Sequence, residues 1–479
     1  MEDYGQMTLF EMIYENYKIT KPIRLIELFA GYGSQNLALK YLGANYQHYK
    51  ICEWATKSIQ AYNDLHIQDY TDYSKDLTSD EIVNKLYQYG ISYDYNSPMT
   101  KEQIKRKGEE WQRTTYNNII ATNNLVNIMN VKASDLEIVD TDKYEYVMTY
   151  SFPCQDLSLA GKQKGMSTSQ AIGGTRSGLL WEVERILTEC VNKPQVLIME
   201  NVPQVIGSSN IKDFKKWIYK LEELGYSNFV EVLSAADYGI PQSRDRCFMI
   251  SILGNYNYKF PKPIKLQKKL KDIIDYNVDE KYYLTPNQVE CILRWNAQQE
   301  PFDTLGKEIA PTLTTRSGAF AAGMILTTDL TDSQQEKQIG QELLKLKKYI
   351  GTCDYAQSDT LRPDLLSRIH LDKDVSGTIL ASGNHNGVII YEGKEQAVDI
   401  SNIIQLIKNG SIKIRKLTPN ECFRLMGVSN SDFNKIKANQ SDNSLYHLAG
   451  DSIVSTCLMG LFGELLGIDY HYFINKATF

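Results

Sequence analysis

Three short apolar runs, each leading into a chemically unusual turn, constrain the fold of this chain most. They are residues 24–29 (RLIELF), 146–150 (YVMTY) and 196–199 (VLIM), and helical patterns lie between them. Runs of this kind are typical of parallel strands that are buried on both faces, and their alternation with helices predicts a doubly wound α/β sheet. Because ligands gather at the carboxyl ends of the strands in such sheets, the residues after each run are the first candidates for function.

Composition and charge limit the classes of protein to which this chain can belong. The chain has 479 residues, 42% of them hydrophobic and 23% charged, which is ordinary for a globular protein of two or three domains. The formal net charge of −6 excludes DNA binding by overall positive charge, although one basic face remains compatible with it. The eight scattered cysteines contain no CxxC pair, and no apolar stretch is long enough to span a membrane, so we expect an intracellular soluble protein without zinc or disulfides.

The α/β rhythm is interrupted twice. Residues 70–130 are polar and helical in pattern, and we expect them to form an elaboration on the sheet. Between 262 and 411 the rhythm is lost, and two Thr- and Ser-rich segments, 310–318 and 376–383, each lead into an apolar run. Both segments predict paired β-hairpins. From about residue 412 the pattern becomes helical again.

A glycine-rich turn follows the first apolar run. Gly31 and Gly33 stand in FAGYGS, where the missing Cβ permits positive φ and lets a ligand approach the backbone. A single GxG is more often only a tight turn. However, Glu53 closes a second candidate strand about 20 residues later, the offset at which an acid binds a ribose hydroxyl. The pair predicts a site for a nucleoside-bearing cofactor, although the third glycine of the full dinucleotide fingerprint is missing.

The second and third apolar runs lead into a cysteine and a glutamate. Cys154 stands in SFPCQ before a Gly- and Ser-rich segment, a pattern that fits a nucleophile beneath a mobile loop as well as a simply buried thiol. Glu200 stands in MENV. An acid at this place either caps the following helix or, if it faces the same cleft as Cys154, has a raised pKa and exchanges a proton near neutral pH.

A fourth motif contains alternating polar side chains. Gln242, Arg244 and Arg246 occupy every second position of IPQSRDRCFMI, so an extended strand places them on one face. Alternating arginines are more often a solvated surface. The adjoining apolar residues CFMI indicate an internal strand instead, and we expect its arginines to face a functional cleft.

In this order, the motifs resemble those of the DNA (cytosine-5) methyltransferases over most of the chain. FAGYGS resembles the cofactor loop of that family, SFPCQ the segment of the catalytic cysteine, MENV that of the catalytic glutamate and QSRDR its arginine motif. Residues 415–427 (RKLTPNECFRLMG) resemble the stretch after the target-recognition region, and residues 450–454 (GDSIV) the closing motif. The resemblance implies a Rossmann-like, S-adenosylmethionine-dependent methyltransferase sheet with a smaller, mostly β target-recognition domain.

The resemblance also implies three sets of site residues and no metal. The expected catalytic residues are Cys154, Glu200 and Arg244. The expected contacts of S-adenosylmethionine are Phe29, Gly31, Gly33, Glu53, Trp54, Asp135, Leu136, Pro153, Leu179, Asp451 and Ser452. The expected contacts of the DNA or the target base are Gln155, Ser158, Gln242, Arg246 and Arg316.

A mechanism follows from these roles. Cys154 would attack C6 of cytosine as a thiolate, Glu200 would protonate N3, and Arg244 would hold the base while C5 accepts the methyl group. Because C5 is inaccessible within a duplex, the base would be flipped out, with residues 155–174 closing behind it. Two alternatives remain open, namely methylation of cytosine in transfer RNA and a catalytically silent DNA-binding protein.

The resemblance further predicts domains and partners. Residues 1–261 would form the catalytic domain, 262–411 the target-recognition domain and 412–479 a return to the catalytic domain. Double-stranded DNA would contact positive charge at the two arginines of QSRDR and along 259–271 and 413–416. We expect a cytoplasmic, nucleoid-associated monomer with a restriction-modification or orphan role, and a cognate restriction endonuclease as an optional partner.

One residue departs from the family pattern. The closing motif normally reads Gly-Asn-Ser-Val, whereas this chain has Asp451 in place of the asparagine. A carboxylate accepts hydrogen bonds but cannot donate one as an amide does, and it places negative charge near a cationic sulfonium. We expect the change to be tolerated, with tuned cofactor affinity or altered cofactor use as the alternatives.

Overall fold

A computed structural model describes most of the chain outside the middle third. The described residues are 14–153, 176–275, 277–285, 287 and 412–477, together with short strands at 310–311, 324–328, 369–371, 387–391 and 394–398. Four predicted site residues, Cys154, Gln155, Ser158 and Arg316, lie outside them.

A six-stranded sheet forms the centre of the molecule, with the strand order β2-β1-β3-β4-β7-β5. Neighbouring strands from β2 to β4 are parallel, whereas β7 runs antiparallel to both β4 and β5. The strands of this sheet are β1 (Ile23–Leu28), β2 (Tyr46–Cys52), β3 (Glu145–Tyr150), β4 (Val196–Asn201), β5 (Tyr226–Ser234) and β7 (Asp245–Leu253), and the short β6 (Gln242–Ser243) precedes β7. Each apolar run of the sequence therefore forms a strand, and the CFMI segment is internal as predicted.

Helices cover both faces of the sheet. Residues 262–411, predicted to recognise the target, are called the recognition segment below. The helices before it are α1 (Ser34–Tyr41), α2 (Thr56–Tyr62), α3 (Ser79–Tyr89), α4 (Lys101–Arg106), α5 (Glu109–Ala121), α6 (Leu180–Glu189) and α7 (Ile211–Glu223). The helices after it are α8 (Pro419–Arg424), α9 (Asn430–Lys437), α10 (Asp442–Asp451), α11 (Ser455–Leu466) and α12 (Tyr470–Lys476). This arrangement confirms the predicted α/β sheet.

Alternate residues of the central strands divide the core into two apolar layers. Leu25 and Val147 face the layer formed with α1 and the C-terminal helices, whereas Ile26 and Met148 face the layer formed with α6 and α7. This division follows from the two-residue period of a strand. The apolar segment from α10 to α11 would be long enough to cross a membrane by composition, but 89% of its most apolar window is buried in this core.

The segment between β2 and β3 is helical, as its pattern predicts. Helix α3 begins with a reciprocal capping box between Thr78 and Glu81 and ends at Gly90, whose φ of +70° reverses the chain. Helices α3 to α5 bury an apolar cluster of their own, which includes Ile82, Leu86 and other aliphatic side chains. They form an insertion with a separate small core, which we call the helical insertion.

The strands in and directly after the recognition segment are short. They are β8 (Ala310–Pro311), β9 (Met324–Thr328), β10 (Ile369–Leu371), β11 (Gly387–Tyr391), β12 (Lys394–Val398) and β13 (Ile412–Lys416). Strand β8 pairs with β6, β9 pairs with β10 and β13, and β11 and β12 form an antiparallel pair. Most of the first predicted hairpin segment (312–318) and all of the second (376–383) lie outside the described residues, so the hairpins stay a prediction.

The start of the C-terminal helical region was also placed too early. Residues from 412 form β13 before α8 begins at Pro419. The cause is visible in the sequence, since Thr418 caps the helix together with Glu421 and proline occupies the first turn. The cap and the proline therefore place the start of α8 just after the basic residues 413–416.

The basic residues expected to contact DNA have different environments. Lys259, Lys262, Lys265 and Lys269 are exposed. In contrast, Arg415 is only 1% exposed, and its guanidinium donates to both carboxyl oxygens of Glu421, at 2.9 and 2.8 Å. The expectation that Arg415 contributes surface charge was therefore wrong, because a buried carboxylate neutralises it.

Candidate active site at the carboxyl edge of the sheet

The carboxyl ends of β1, β3 and β4 meet at one edge of the sheet. The Ser151 hydroxyl, just after β3, lies 3.5 Å from the Phe29 carbonyl oxygen in the turn after β1. At the end of β4, Asn201 Nδ2 donates to the Phe152 carbonyl oxygen at 3.0 Å. These contacts bring together the glycine-rich turn, the segment that ends in Pro153 and the end of β4, as the sequence predicts. Cys154, the next residue, lies outside the described residues.

The glycine-rich turn has a left-handed backbone at three of its residues. Phe29, Gly31 and Gly33 have φ values of +59°, +57° and +84°. The Gly31 N–H donates to Oε2 of Glu53 at 2.9 Å, and the Ala55 N–H donates to Oε1 at 2.8 Å. The Glu53 carboxylate therefore joins the turn after β1 to the segment after β2, and it sets the shape of the candidate cofactor loop.

Glu53 is buried, and its protonation depends on that burial. Loss of solvent raises the pKa of Glu53 to about 7, against the lowering effect of the two backbone N–H donors. A bound ribose hydroxyl that donates to this carboxylate would stabilise its charged form. The group is thus chemically suited to the ribose contact that the sequence predicts.

Asn124 is a supporting residue that the sequence analysis missed. Its Oδ1 accepts from the Glu53 N–H at 3.0 Å, and its Nδ2 donates to the Glu53 carbonyl oxygen at 2.9 Å. The same Oδ1 also accepts from the Val126 N–H at 2.8 Å. No local pattern marks Asn124, because its partner is distant along the chain.

The two glycines of the turn differ in what a side chain would meet. A Cβ at Gly33 would lie 2.6 Å from both His66 Nε2 and Tyr62 Cε2, whereas a Cβ at Gly31 would meet nothing within 4 Å. Gly33 is therefore required for packing. Gly31 borders open space through which a ligand can approach the backbone.

Gly31→Ala and Gly33→Ala are expected to damage the protein in different ways. The Gly33 variant should lose roughly 1–3 kcal/mol of folding free energy through overpacking and backbone strain. The Gly31 variant should keep most of its stability, with a strain of about 1 kcal/mol, but bind cofactor more weakly because its methyl group fills the approach path. Thermal unfolding and a cofactor titration separate the two effects. Equal losses of stability in both variants would contradict this assignment.

Glu200 pairs with the second arginine of QSRDR. Arg246 Nε lies 3.0 Å from Glu200 Oε1, and both side chains are mostly buried. The antiparallel register of β4 and β7 aligns Glu200 with Phe248, which places Arg246 diagonally opposite on the same face. Burial raises the pKa of Glu200, while the positive charges of Arg246 and Arg244 oppose the shift.

Arg244 contacts the C-terminal segment. It is 3% exposed, and its Nη2 donates to the carbonyl oxygens of Gly450 at 3.0 Å and Ser452 at 2.6 Å. Arg244 was expected to hold the base beside Glu200, and that role stays a prediction. The structure shows that Arg246 forms the ion pair with Glu200 and that Arg244 holds the closing motif against the end of the sheet.

Gln242 has a packing role. Its side chain is fully buried, and Nε2 donates to the Leu425 carbonyl oxygen at 2.6 Å. A contact of Gln242 with DNA stays a prediction. Of the three polar side chains of QSRDR, Arg246 forms the ion pair with Glu200, and the charge of Arg244 also acts on that carboxylate.

The other predicted cofactor residues include several with structural contacts of their own. Trp54 packs against the core of the helical insertion, and Leu136 and Leu179 are buried in the apolar layer beneath β3. Asp135 accepts from the Lys132 N–H at 2.9 Å and so caps its own turn. Their contacts with a cofactor stay predictions.

Asp451 stands between Gly450 and Ser452, the two residues whose carbonyl oxygens Arg244 binds. Its side chain is 51% exposed, although protein atoms surround it closely enough that burial raises the pKa of its carboxyl group. Charge interactions link it to Glu53 and Glu200 on one side and to Arg244 and Arg246 on the other. Its charge therefore acts on both Glu53 and Glu200.

Comparisons with known proteins agree with this geometry. The family model for C-5 cytosine-specific DNA methylase matches residues 89–466. The type II methyltransferase M2.ScrFI of Lactococcus lactis is 30% identical over 450 residues, which cover 92% of this chain and 99% of that protein. The orphan methyltransferase M.SssI of Spiroplasma monobiae is 37% identical over 269 residues, which cover 55% of this chain and 67% of that protein.

A structural comparison supports the fold. The crystal structure of a DNMT2 mutant from Spodoptera frugiperda superposes with a TM-score of 0.54 at 16% identity, covering 92% of this chain and 99% of that one. At this identity the likeness concerns the fold alone. The family match over most of the chain and the order of motifs along the sheet edge lead to one conclusion: this chain belongs to the C-5 cytosine-specific DNA methylase family.

Proposed function

We propose that the protein is a sequence-specific DNA methyltransferase that modifies C5 of a flipped cytosine through a covalent bond between Cys154 and C6. The observation that carries this proposal is the meeting of three strand ends, which brings the Glu53-supported loop, the segment leading to Cys154 and the Glu200–Arg246 pair to one edge. Enzymes of this family use S-adenosylmethionine, which supplies the methyl group when bound. The described residues fit such a group, since Gly31 borders open space and Glu53 offers a carboxylate beside it.

We assign the following roles to the residues of this chain. Phe29, Gly31 and Gly33 would shape the cofactor loop, with Glu53 orienting the ribose. Glu200 is suited to deliver a proton to N3 of the cytosine, because burial raises its pKa and the neutral form persists closer to neutral pH. Its partner Arg246, rather than Arg244, would hold the base and offset developing charge, since Arg246 is the arginine in contact with Glu200.

Methylome sequencing of cells that express the protein tests this proposal. Bisulfite conversion should show 5-methylcytosine in one short motif, and the signal should disappear in Cys154→Ala. DNA that stays unmethylated in the presence of folded wild-type protein would contradict the proposal.

Two further assays separate the alternatives. Incubation with labelled S-adenosylmethionine and either duplex DNA or transfer RNA should label the DNA alone. A duplex that contains 5-fluorocytosine should be trapped covalently by the wild type and not by Cys154→Ala. Absence of trapping in the wild type would favour a silent DNA-binding protein.

We also infer a cytoplasmic location on chromosomal DNA, since duplex DNA is the proposed substrate. The Lactococcus relative is named as a type II enzyme and the Spiroplasma relative as an orphan, so both biological roles have precedent among the similar proteins. If a cognate endonuclease exists, loss of Cys154 should make host DNA susceptible to it. Survival of a Cys154→Ala strain with an otherwise intact locus would favour the orphan role.

A further inference from the structure

A loop of the helical insertion reaches the candidate cofactor site. The Ser92 N–H donates to the Trp54 carbonyl oxygen at 2.8 Å, and the Thr56 N–H donates to the Ser92 carbonyl oxygen at 2.9 Å. This loop, residues 92–98, is thereby attached to the backbone that immediately follows Glu53. The helical insertion, for which the sequence suggested no chemistry, thus borders the cleft.

The loop of residues 92–98 contains a tyrosine whose backbone conformation is strained. Asp94 accepts from the N–H groups of Asn96 at 2.9 Å and Ser97 at 3.1 Å, which closes the loop tightly. Tyr95, at its tip, has a φ of +63°, a region that bulky residues rarely adopt. Such strain persists only where the surrounding structure enforces it.

The ring of Tyr95 stacks on His447, one helical turn before Asp451. The two ring centroids are 3.9 Å apart with an interplanar angle of 18°. His447 Nδ1 lies 3.8 Å from Asp451 Oδ2 within α10. The helical insertion therefore contacts a residue that lies beside the Asp451 carboxylate.

The cleft around Asp451 carries an excess of negative charge when its carboxyl groups are ionised. Three carboxyl groups interact there, those of Glu53, Glu200 and Asp451, together with the two guanidinium groups of Arg244 and Arg246. Burial lowers the pKa of His447, so its imidazole is mostly neutral at neutral pH and adds little positive charge. The half-exposed Asp451 carboxylate is thus available to a cationic ligand.

We propose that Asp451, which lies beside the Tyr95–His447 stack, makes the cofactor site select the positively charged methyl donor over its neutral thioether product. This inference rests on the proposed function. A sulfonium carries a positive charge that S-adenosylhomocysteine lacks, and the two ligands are otherwise alike apart from the methyl group. A carboxylate near the sulfur stabilises bound S-adenosylmethionine by charge but not bound S-adenosylhomocysteine. An asparagine would not distinguish the two ligands by charge. Tyr95 is a positioning residue in this scheme, because it acts through His447.

Isothermal titration of the full chain with each cofactor form, without DNA, tests the proposal. In Asp451→Asn we expect the Kd of S-adenosylmethionine to rise by roughly tenfold, as for loss of one partly screened charge contact, while the Kd of S-adenosylhomocysteine changes less than about twofold. Tyr95→Ala should shift the ratio of the two constants in the same direction, and Tyr95→Phe, which keeps the stacked ring, should not. The matched control is Tyr93→Ala, since Tyr93 lies in the same loop but is exposed and contacts Lys107 instead of His447.

The pH dependence supplies a second readout. Because the pKa of Asp451 is raised, its carboxyl group gains charge as pH rises, and the preference for S-adenosylmethionine should grow over that range. Glu53, Glu200, Arg244, Arg246 and His447 also face this carboxylate. Glu53 and Glu200 also gain charge as pH rises, so the comparison of the Kd ratio in the wild type and in Asp451→Asn across the same pH range isolates Asp451.

The results of these titrations distinguish failure of the charge-selection proposal from failure of the proposed function. An unchanged Kd ratio in Asp451→Asn, or an equal loss of both ligands, would overturn the charge-selection proposal while leaving the methyltransferase intact. Wild-type protein that binds neither cofactor form would overturn the proposed function itself. Retained binding of S-adenosylhomocysteine in each variant shows that its fold is preserved.

Discussion

Arg246→Ala is expected to lower the rate constant of methyl transfer by about 10²–10³-fold, the range seen when a charge-stabilising donor is removed from an enzyme site. Arg246 is the cation that contacts Glu200, at 3.0 Å in a largely buried pair. Without it, the carboxyl group loses its nearest opposite charge, and the base loses the donor proposed to orient it. Cofactor affinity should change little, because Arg246 makes no contact with the glycine-rich turn among the described residues. Single-turnover methylation assays and cofactor titration measure the two quantities separately.

Arg244→Ala provides the matched comparison. This arginine holds the carbonyl oxygens of Gly450 and Ser452, so its removal should weaken cofactor binding and lower stability before it affects the chemical step. Arg246→Lys should recover part of the rate, since it keeps the charge but loses the planar guanidinium. If Arg244→Ala stopped methyl transfer while stability and cofactor affinity were retained, the role in catalysis would return to Arg244.

Glu421→Ala should cost about 3–5 kcal/mol of folding free energy, because it leaves the Arg415 guanidinium buried without its partner. Glu421 is fully buried and accepts two hydrogen bonds from Arg415, and one each from the N–H groups of Asp275 and Thr418, both at 2.6 Å. The pair joins β13 to α8, which connects the recognition segment to the catalytic region. Equilibrium unfolding in urea, followed by tryptophan fluorescence, measures the loss.

Two controls define this effect. Asp80→Ala breaks an exposed ion pair of similar length with Lys105, at 3.1 Å, and should cost only about 0–1 kcal/mol. The double variant Arg415→Met/Glu421→Leu should be more stable than either single truncation, since it removes both buried charges together. A Glu421→Ala loss no larger than that of Asp80→Ala would show that the buried pair contributes little.

Most of the sheet and the main site motifs could be predicted from the sequence because their signals are local. Apolar runs of strand length gave β1, β3 and β4, and the residues directly after them gave the glycine-rich turn and Glu200. Glu53 followed from its spacing to Gly31. In each case the relevant residues are neighbours in the chain or are placed by the regular order of an α/β sheet.

Contacts that depend on strand register or on distant segments could not be predicted. The choice of Arg246 over Arg244 as the partner of Glu200 depends on how β7 aligns with β4, which alternation alone leaves undetermined. The support of Glu53 by Asn124 and the stack of Tyr95 on His447 join residues that no short motif connects. The buried state of Arg415 likewise depends on α8, although the capping signal of Thr418 was present in the sequence.

The packing of the C-terminal helices has a consequence for biosynthesis. Helix α11 packs against α1, the Ile19 N–H donates to the Leu465 carbonyl oxygen at 2.8 Å, and the closing motif reaches Arg244 just before α11. During translation the first strands and the recognition segment emerge before these helices. The cofactor site therefore stays incomplete until residues near 466 have left the ribosome. A nascent chain that lacks these helices would be inert, and modification of DNA would begin only once α11 has been synthesised.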